Sequence, residues 1–392
     1  MANTILTIDD IAREALMLLR STLVGVKLFD RRYEANFTGN EMIGDTIRIR
    51  RRGSGTVREF TSSITVDDIT ESNVNLVLEK HYDLSFAVTS KQWTLDLQSF
   101  SEQLLAPNVL KMAEQIDAYA LTKLKHLPNI GGTGETSWDG STAVLPGALP
   151  TTIGHLAAIN RKLDEQKVPM AERVQLVSPA YKQALLSIDS FVESDKRGDG
   201  GTALEQARMG QLMSMSHFMD QNVDSSTVHT SGTMDTALTS AAVAVGATSI
   251  PYDTGDEVSG TFKEGDIVYI AGYGNVVVAA DNTASSSAGT LTIVEPIRTA
   301  IADATAMTVY DGSAGTRTLQ GAAFNPRAFA FAAVPLEIPQ EASGAVVTYE
   351  DLSIRLIRDY NITTKTSTIS MDCLVGGVLV DGNLGCQIVR GE

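Results

Sequence analysis

The sequence of 392 residues is poor in cysteine, in aromatic side chains and in positive charge. Its two cysteines, Cys373 and Cys386, have no ligand-type spacing and no second pair, which argues against a disulfide framework or a zinc site. No apolar run approaches the roughly 18 to 20 residues that span a bilayer, so no membrane partner is expected. The opening residues are acidic and lack the basic segment of a secretory signal, which indicates a chain kept in a reducing cytoplasm.

The shortage of positive charge makes one basic stretch conspicuous. The chain has 31 Lys and Arg against 47 Asp and Glu, a formal net charge of −16. Such a charge disfavours nonspecific attachment to nucleic acid. Between positions 45 and 60 the only acids are Asp45 and Glu59, so this stretch is predicted to lack acidic cross-strand partners. Its arginines are Arg48, Arg50, Arg51, Arg52 and Arg58.

A period of two from Met42 onward predicts that this stretch is an extended ribbon. One face carries Arg48, Arg50 and Arg52, and the other carries Ile47, Ile49 and Arg51. Glycines near position 54 predict a turn, with residues 56–60 (TVREF) as the returning strand. With few large apolar groups the ribbon cannot form its own core, so it must lie on its own body or on another molecule. The plain alternative is a solvated strand face.

The predicted secondary structure changes near residue 228, from helices and an α/β unit to short strands. Residues 7–20 predict an amphipathic helix, and residues 99–127 predict a long helix with one apolar stripe. An α/β unit follows from about residue 150, with Ser178 and Pro179 starting a helix.

Residues 228–320 then hold ten acids against three bases, a net charge of −7. Short strands between turn residues there predict a small β-barrel or sandwich, placed as an insertion.

No stretch carries a recognisable catalytic pattern. The glycine-rich GGTGETS lacks the Gly-Lys-Ser/Thr ending of a phosphate loop. The five histidines never fall at metal-ligand spacing. We therefore predict no catalytic, cofactor-binding or metal-binding residue, and a protein that is not an enzyme.

The order of the segments resembles the Hong Kong 97-type major capsid proteins of tailed phages. The long helix ends KMAEQIDAYALTKL, and RVQLVSPAYKQALL is similar to a strand and helix of that family's axial domain. GQLMSMSHFMDQNV is similar to the return strand, with Ser214 and Asp220 where the family more often has Gly and Ser. FNPRAFAFAAVPLE and IRLIRDYNITTKTSTISMDCLVGGVLV resemble the closing segments. The acidic insertion is similar to that of P22-type coat proteins.

The resemblance implies an α+β fold with five parts. They are an N-terminal arm with a helix (1–40), an extended β-hairpin loop with flanking strands (41–92), a peripheral domain with a long spine helix at 99–127 (93–149 and 335–392), an axial α/β domain (150–227 and 321–334), and an inserted acidic small β-barrel domain (228–320).

The resemblance also implies a function. The protein would self-assemble into hexamers and pentamers of an icosahedral shell in the virion, formed in the host bacterial cytoplasm. The shell would enclose packaged double-stranded DNA without binding it specifically. Scaffolding protein, portal and a decoration protein would be further partners, and no cofactor is implied. The arginines from Arg48 to Arg58 would contact a neighbouring subunit. A loop at the capsomer axis would contain Asp195, Lys196, Arg197 and Asp199.

Two alternatives remain open from the sequence. The arginine ribbon could belong to a DNA-binding protein, although it lacks the interleaved aromatics that stack on bases. The chain could also be another phage structural part, such as a tail or decoration protein.

Overall fold

The structure is a computed structural model that describes most of the chain. The described residues are 24–37, 44–51, 57–60, 64, 66, 71–91, 106–132, 149–189, 210–223, 227–228, 237–253, 261–283, 288–309, 317–334, 336–339, 343–349 and 352–391. The predicted helix at 7–20 and the loop containing residues 195–199 lie outside them. The chain divides into two compact units, one formed by Met1–Ile47, Leu76–Lys123 and Phe329–Val378, the other by Arg48–Asn75, Leu124–Ala328 and Leu379–Glu392.

The described elements are mostly strands. The α-helices are α1 (Glu34–Phe37), α2 (Ala106–Thr122), α3 (Gly154–Glu165) and α4 (Pro179–Leu186). Short 3-10 helices cover Val26–Leu28, Lys123–His126, Pro326–Ala328 and Gly382–Leu384. The first strands are β1 (Thr46–Arg51), β2 (Ser72–Val77), β3 (Lys80–Thr89), β4 (Val174–Val177), β5 (Gln211–Leu212), β6 (Met215–Met219) and β7 (Thr227–Val228). The next are β8 (Ala237–Thr239), β9 (Ser249–Asp253), β10 (Thr261–Phe262), β11 (Ile267–Ile270), β12 (Gly274–Val277), β13 (Asn282–Thr283), β14 (Ala288–Thr292) and β15 (Ala306–Val309). The last are β16 (Arg317–Phe324), β17 (Phe329–Val334), β18 (Ser343–Tyr349), β19 (Leu352–Asn361), β20 (Thr366–Leu379) and β21 (Gly385–Gly391).

The first unit is built on a five-stranded sheet around β20. This strand pairs antiparallel with β19 and with β3, while β18 continues from β19 and β17 also lies next to β20. Helix α2 belongs to the same unit and buries one stripe of side chains spaced three and four residues apart, as an amphipathic helix does. The stripe consists of Val109, Met112, Ile116 and Tyr119. The predicted long helix is therefore present over Ala106–Thr122 and continues as a 3-10 helix to His126.

Gly376 marks a close approach of two chain segments in this unit. A Cβ atom at this position would lie 2.2 Å from the carbonyl oxygen of Val77 and 3.1 Å from Cα of Leu78. Only glycine lets β20 pass the end of β2 at this distance.

The second unit contains an α/β sheet in the order β21-β16-β4-β6-β5. Strands β4 and β6 are parallel, with Val174 opposite Ser216. Helix α4 follows β4 directly, and Ser178 caps it by accepting a hydrogen bond from the backbone N–H of Tyr181 at 3.3 Å. The predicted start of this helix is confirmed. Helices α3 and α4 share a core with the sheet that includes Leu156, Ile159, Leu163, Tyr181 and Leu185.

Residues 237–309 of the second unit form a separate six-stranded antiparallel sheet. Its order is β12-β11-β15-β8-β9-β14. The two outer strands meet just beyond their ends, where Val278 forms an antiparallel bridge with Ile293. Backbone hydrogen bonds from Ala279 to Thr292 (2.8 Å) and from Val294 to Val277 (2.9 Å) close the sheet on itself. Closure removes exposed strand edges and encloses an apolar interior. That interior includes Ile250, Tyr252, Phe262, Val268 and Leu291.

The chain enters and leaves this closed sheet at neighbouring positions. Strands β7 and β16 pair antiparallel, with Val228 opposite Arg317 and Thr227 opposite Thr318. Since β16 lies inside the α/β sheet, both connections to residues 237–309 start from one place in that sheet.

Two segments lie in sheets that differ from the predicted division of the chain. Strand β17 was assigned to the axial part but pairs in the sheet of the first unit, and β21 was assigned to the peripheral part but pairs along β16. Both are largely buried strands whose sheet is decided by long-range pairing, and local sequence carries no signal of that choice.

Candidate functional site: the arginine hairpin

The candidate site is the hairpin formed by β1 and β2, here called the arginine hairpin. Strand β1 has the two faces that its sequence predicts. Ile47 and Ile49 are buried, with 9% and 2% exposure, whereas Arg48 and Arg50 are exposed. Strand β2 repeats the pattern, because Val74 and Leu76 are buried while its intervening residues are exposed. The hairpin base, meaning β1 and β2, therefore has one apolar face that is covered within the chain.

The partner of β1 differs from the prediction. Strand β1 pairs with β2, and residues 57–60 of the expected returning strand are not in a strand. The prediction failed because two glycines within three residues suggested a tight turn, whereas the paired strand begins at Ser72. The arginines therefore lie beside a different sequence from the one assumed.

Arg50 has an acidic partner that was not expected, because the returning strand was predicted at residues 56–60. Its Nε donates a hydrogen bond of 3.1 Å to the carboxylate of Glu71, and its Nη2 contacts the same oxygen. The expectation that the stretch lacks acidic cross-strand partners is wrong at this position. Both side chains are well exposed, so the pair contributes only about 0–1 kcal/mol. Within the described part of the chain, Arg48 forms no ion pair.

Arg51 points to the other face and is held by its own chain. Only 11% of its side chain is exposed. Its Nε donates to the carbonyl oxygen of Val380, and its Nη2 donates to Oε1 of Glu295. Within this chain the guanidinium of Arg51 contacts acceptors of the second unit, and its predicted contact with a neighbouring subunit stays a prediction.

Glu295 collects contacts from three parts of the second unit. Its Oε1 also accepts the backbone N–H of Gly382 at 2.6 Å, and its Oε2 accepts from Arg298 at 3.2 Å. Arg298 in turn donates to Asp381 at 2.7 Å. We call this group, Arg51, Glu295, Arg298, Asp381 and Gly382, the Glu295 junction. Two positive and two negative side chains balance, and charge-assisted hydrogen bonds of this kind are stronger than neutral ones.

The distal segment of the hairpin, described at Val57–Phe60, Ile64 and Val66, has the opposite character. Its apolar side chains are exposed, with Val57 at 98%, Phe60 at 69%, Ile64 at 81% and Val66 at 82%. Arg58 is exposed as well, and Arg52 lies outside the described residues. The pattern of arginines alone does not predict this apolar segment. The signal was available in Phe60 and in the alternation of Ile64 and Val66.

A second charged contact in the same unit joins the 3-10 helix at Lys123–His126 to the loop before β11. Glu264 lies 3.1 Å from Nε2 of His126 and 3.3 Å from Nζ of Lys125. The hydrogen bond with His126, together with the charge of Lys125, lowers the pKa of Glu264 to about 2. This carboxylate therefore remains charged at neutral pH and serves packing within the unit.

The described residues contain no group of three or more His, Cys, Asp or Glu side chains arranged to hold a metal ion. Cys373 and Cys386 are both buried and free, and burial raises the pKa of Cys373 to about 12. Among the helices that the structure describes, none is long and apolar enough to cross a membrane. What the site offers chemically is a contact surface of apolar and guanidinium groups.

Comparison with solved structures finds chains that align with most of this protein at low sequence identity. A chain of the structure of Mycobacterium phage Che8 aligns over 93% of this chain and 90% of its own, with a TM-score of 0.52 and 14% identity. A chain of the capsid structure of the cyanophage P-SCSP1u covers 89% and 84%, with a TM-score of 0.46 and 8% identity. A chain of the capsid of an empty GTA particle covers 100% and 94%, with a TM-score of 0.46 and 9% identity. No protein-family model and no curated protein matches the sequence.

The Che8 alignment shows that the two chains share a mixed α+β fold. The mixed α+β fold expected from the sequence is thus confirmed, and its Hong Kong 97-type details stay a prediction.

Proposed function

We propose that this protein is the major capsid protein of a tailed phage and assembles into hexamers and pentamers of an icosahedral shell around double-stranded DNA. The observation that carries the proposal is the fold shared with the Che8 chain over nearly the full length of both. The protein would then be a component of the virion, made and assembled in the host cell.

The proposal includes a Hong Kong 97-type arrangement of parts. The five-stranded sheet with α2 would be the peripheral domain, and the α/β sheet would be the axial domain. The closed sheet at 237–309 would be an insertion into the axial domain. The pairing of Val228 with Arg317 supports this, because the chain before and after the closed sheet is then joined to the α/β sheet at one position. The loop with Asp195, Lys196, Arg197 and Asp199 would lie at the capsomer axis.

The arginine hairpin would reach a neighbouring copy with its distal segment. Exposed apolar residues at Val57, Phe60, Ile64 and Val66 support this, because burying one such side chain contributes about 1.5–3 kcal/mol. Arg48 and Arg50 on the exposed face would add ion pairs with the neighbour's carboxylates. Such pairs contribute little strength in water, so they would mainly fix the register of the contact.

Contacts of moderate strength suit a shell. Each subunit repeats them with several neighbours, so the assembled shell is stable although each contact is weak. The net charge of −16 would keep the inner wall from binding the DNA that it encloses. Scaffolding protein, portal and a decoration protein would be the further partners.

Electron microscopy of the purified protein, with and without the scaffolding protein of its phage, tests the proposal. We expect closed shells of uniform size. Small rings, tubes or persistent monomers in both samples would contradict it and would favour a tail or decoration protein.

A triple variant separates the proposal from DNA binding. We expect Arg48→Ala, Arg50→Ala and Arg52→Ala together to impair shell formation and to leave DNA affinity unchanged. A DNA affinity that falls and loses its dependence on salt would favour the DNA-binding alternative.

A further inference from the structure

The Glu295 junction ties the hairpin base to two other segments that are far away in sequence. Glu295 follows the bridge between Val278 and Ile293, which closes the six-stranded sheet, by two residues. Gly382 begins the short 3-10 helix that leads into β21, a strand of the α/β sheet. Arg51, at the end of β1, brings in the hairpin. One carboxylate of the closed-sheet segment therefore contacts both the 3-10 helix that precedes β21 and Arg51 of the hairpin.

The contact made by Arg51 restrains the direction of strand β1 at its end. Its guanidinium is planar, and two of its nitrogens donate to acceptors from different segments, Val380 O and Glu295 Oε1. A planar fork with two acceptors restrains the angle of the strand that carries it, whereas a point charge restrains only the distance. The low exposure of both side chains, 11% and 18%, strengthens this restraint because water competes less.

Glu295 is itself held in place before it holds Arg51. The backbone N–H of Gly382 donates to Oε1, and Arg298 donates to Oε2. Gly382 packs so closely that an added Cβ atom would lie 2.5 Å from Cδ of Pro128 and 3.2 Å from Cδ of Glu295. The acceptor of Arg51 therefore has little freedom to move.

We propose that Glu295 is a positioning residue that sets, through Arg51, the direction of the part of the arginine hairpin that belongs to the second unit, Arg48–Asn75. The closed sheet at 237–309 would thereby determine where the distal segment of the hairpin points. In its consequence for assembly this inference rests on the proposed function, since the hairpin angle matters for a shell only if the distal segment meets a neighbouring copy.

Hydrogen exchange of the unassembled full-length chain tests whether the contact made by Arg51 holds the hairpin base in place. In Arg51→Ala we expect amides of β1 and β2 to exchange about tenfold faster or more, while α3 and β4 keep their protection. Arg51→Lys keeps the charge but loses the fork, so its exchange should lie between Arg51→Ala and the wild type. Arg48→Ala is the matched control, because it removes the same charge from the exposed face of the same strand and should exchange as the wild type does.

Two further variants assign the effect to Glu295. Glu295→Ala should accelerate exchange in β1 and β2, and the double variant with Arg51→Ala should add little there, because both remove one interaction. Equal exchange in Arg51→Ala and Arg48→Ala would overturn the proposal, as would full additivity of Arg51→Ala and Glu295→Ala.

Assembly of the same variants distinguishes this inference from the proposed function. We expect Arg51→Ala to yield shells of mixed size or open sheets where the wild type yields uniform shells. Uniform shells from Arg51→Ala would overturn the role of the junction in assembly. If the wild type forms no shells but Arg51→Ala still accelerates exchange, the capsid function fails and the positioning of the hairpin stands.

Discussion

The base and the distal segment of the arginine hairpin are neighbours in sequence but differ in the burial of their side chains. In the base, Ile49 is 2% exposed and Arg51 is bound by Glu295 and Val380 of its own chain. In the distal segment, Phe60 is 69% exposed and Val57 is 98% exposed. The same ribbon therefore contains one part that is complete within the molecule and another whose apolar groups remain in water.

The difference separates residues that stabilise the isolated chain from residues that would be covered only on assembly. Apolar surface left in water gains nothing for the isolated chain and becomes favourable only when another surface covers it. A soluble protein rarely exposes such groups together without an interaction that uses them. We therefore expect changes in the distal segment to alter assembly alone, and changes in the base to alter the stability of the chain itself.

Removal of the distal apolar groups should have the largest effect. We expect the combined variant Val57→Ser, Phe60→Ser, Ile64→Ser and Val66→Ser to lose assembly, because each group would contribute about 1.5–3 kcal/mol when covered. The free energy of unfolding of the unassembled chain should change by less than about 0.5 kcal/mol per site. Light scattering measures assembly, and urea denaturation measures unfolding.

Met170→Ser is the matched control for this variant, because Met170 is an apolar residue of the second unit with 69% exposure. It should assemble like the wild type. A combined variant that assembles normally, or that unfolds at much lower urea, would remove the distinction between the two parts of the hairpin.

Truncation inside the base should have the next largest effect. Ile49→Ala removes a buried side chain, so we expect the free energy of unfolding to fall by about 2–5 kcal/mol in urea denaturation. Ile64→Ala makes the same chemical change in the distal segment and should cost less than about 0.5 kcal/mol. Equal losses in the two variants would mean that burial of the base does not stabilise the chain.

The sequence was sufficient to predict local features of the fold and of this site. The alternation from Thr46 to Arg51 predicts which side chains of β1 are buried, because a strand of period two admits only one such division. The apolar stripe of α2 and the cap at Ser178 are equally local, and both are present. Each depends on residues within about one turn or one strand of one another.

Features that depend on distant residues could not be predicted in this way. Arg51 and Glu295 are 244 positions apart, and no sequence pattern near either residue predicts its contact with the other. The pairing of β1 with β2 and the place of β21 beside β16 likewise depend on which strands meet in space. Register and partner follow from packing of whole faces, which a short window of sequence does not contain.

Loss of the exposed ion pair in the base should have the smallest effect and tests whether the covered face alone stabilises it. Arg50 and Glu71 are 79% and 50% exposed, so we expect Arg50→Ala to cost about 0–1 kcal/mol in urea denaturation. The cost should vanish in about 1 M salt, where the Debye length is about 3 Å. Arg48→Ala removes the same charge without an ion pair and should cost less. A double-mutant cycle with Glu71→Ala isolates the pair. A coupling above about 2 kcal/mol that persists in high salt would show that the exposed face, and not Ile47 and Ile49, holds the hairpin base.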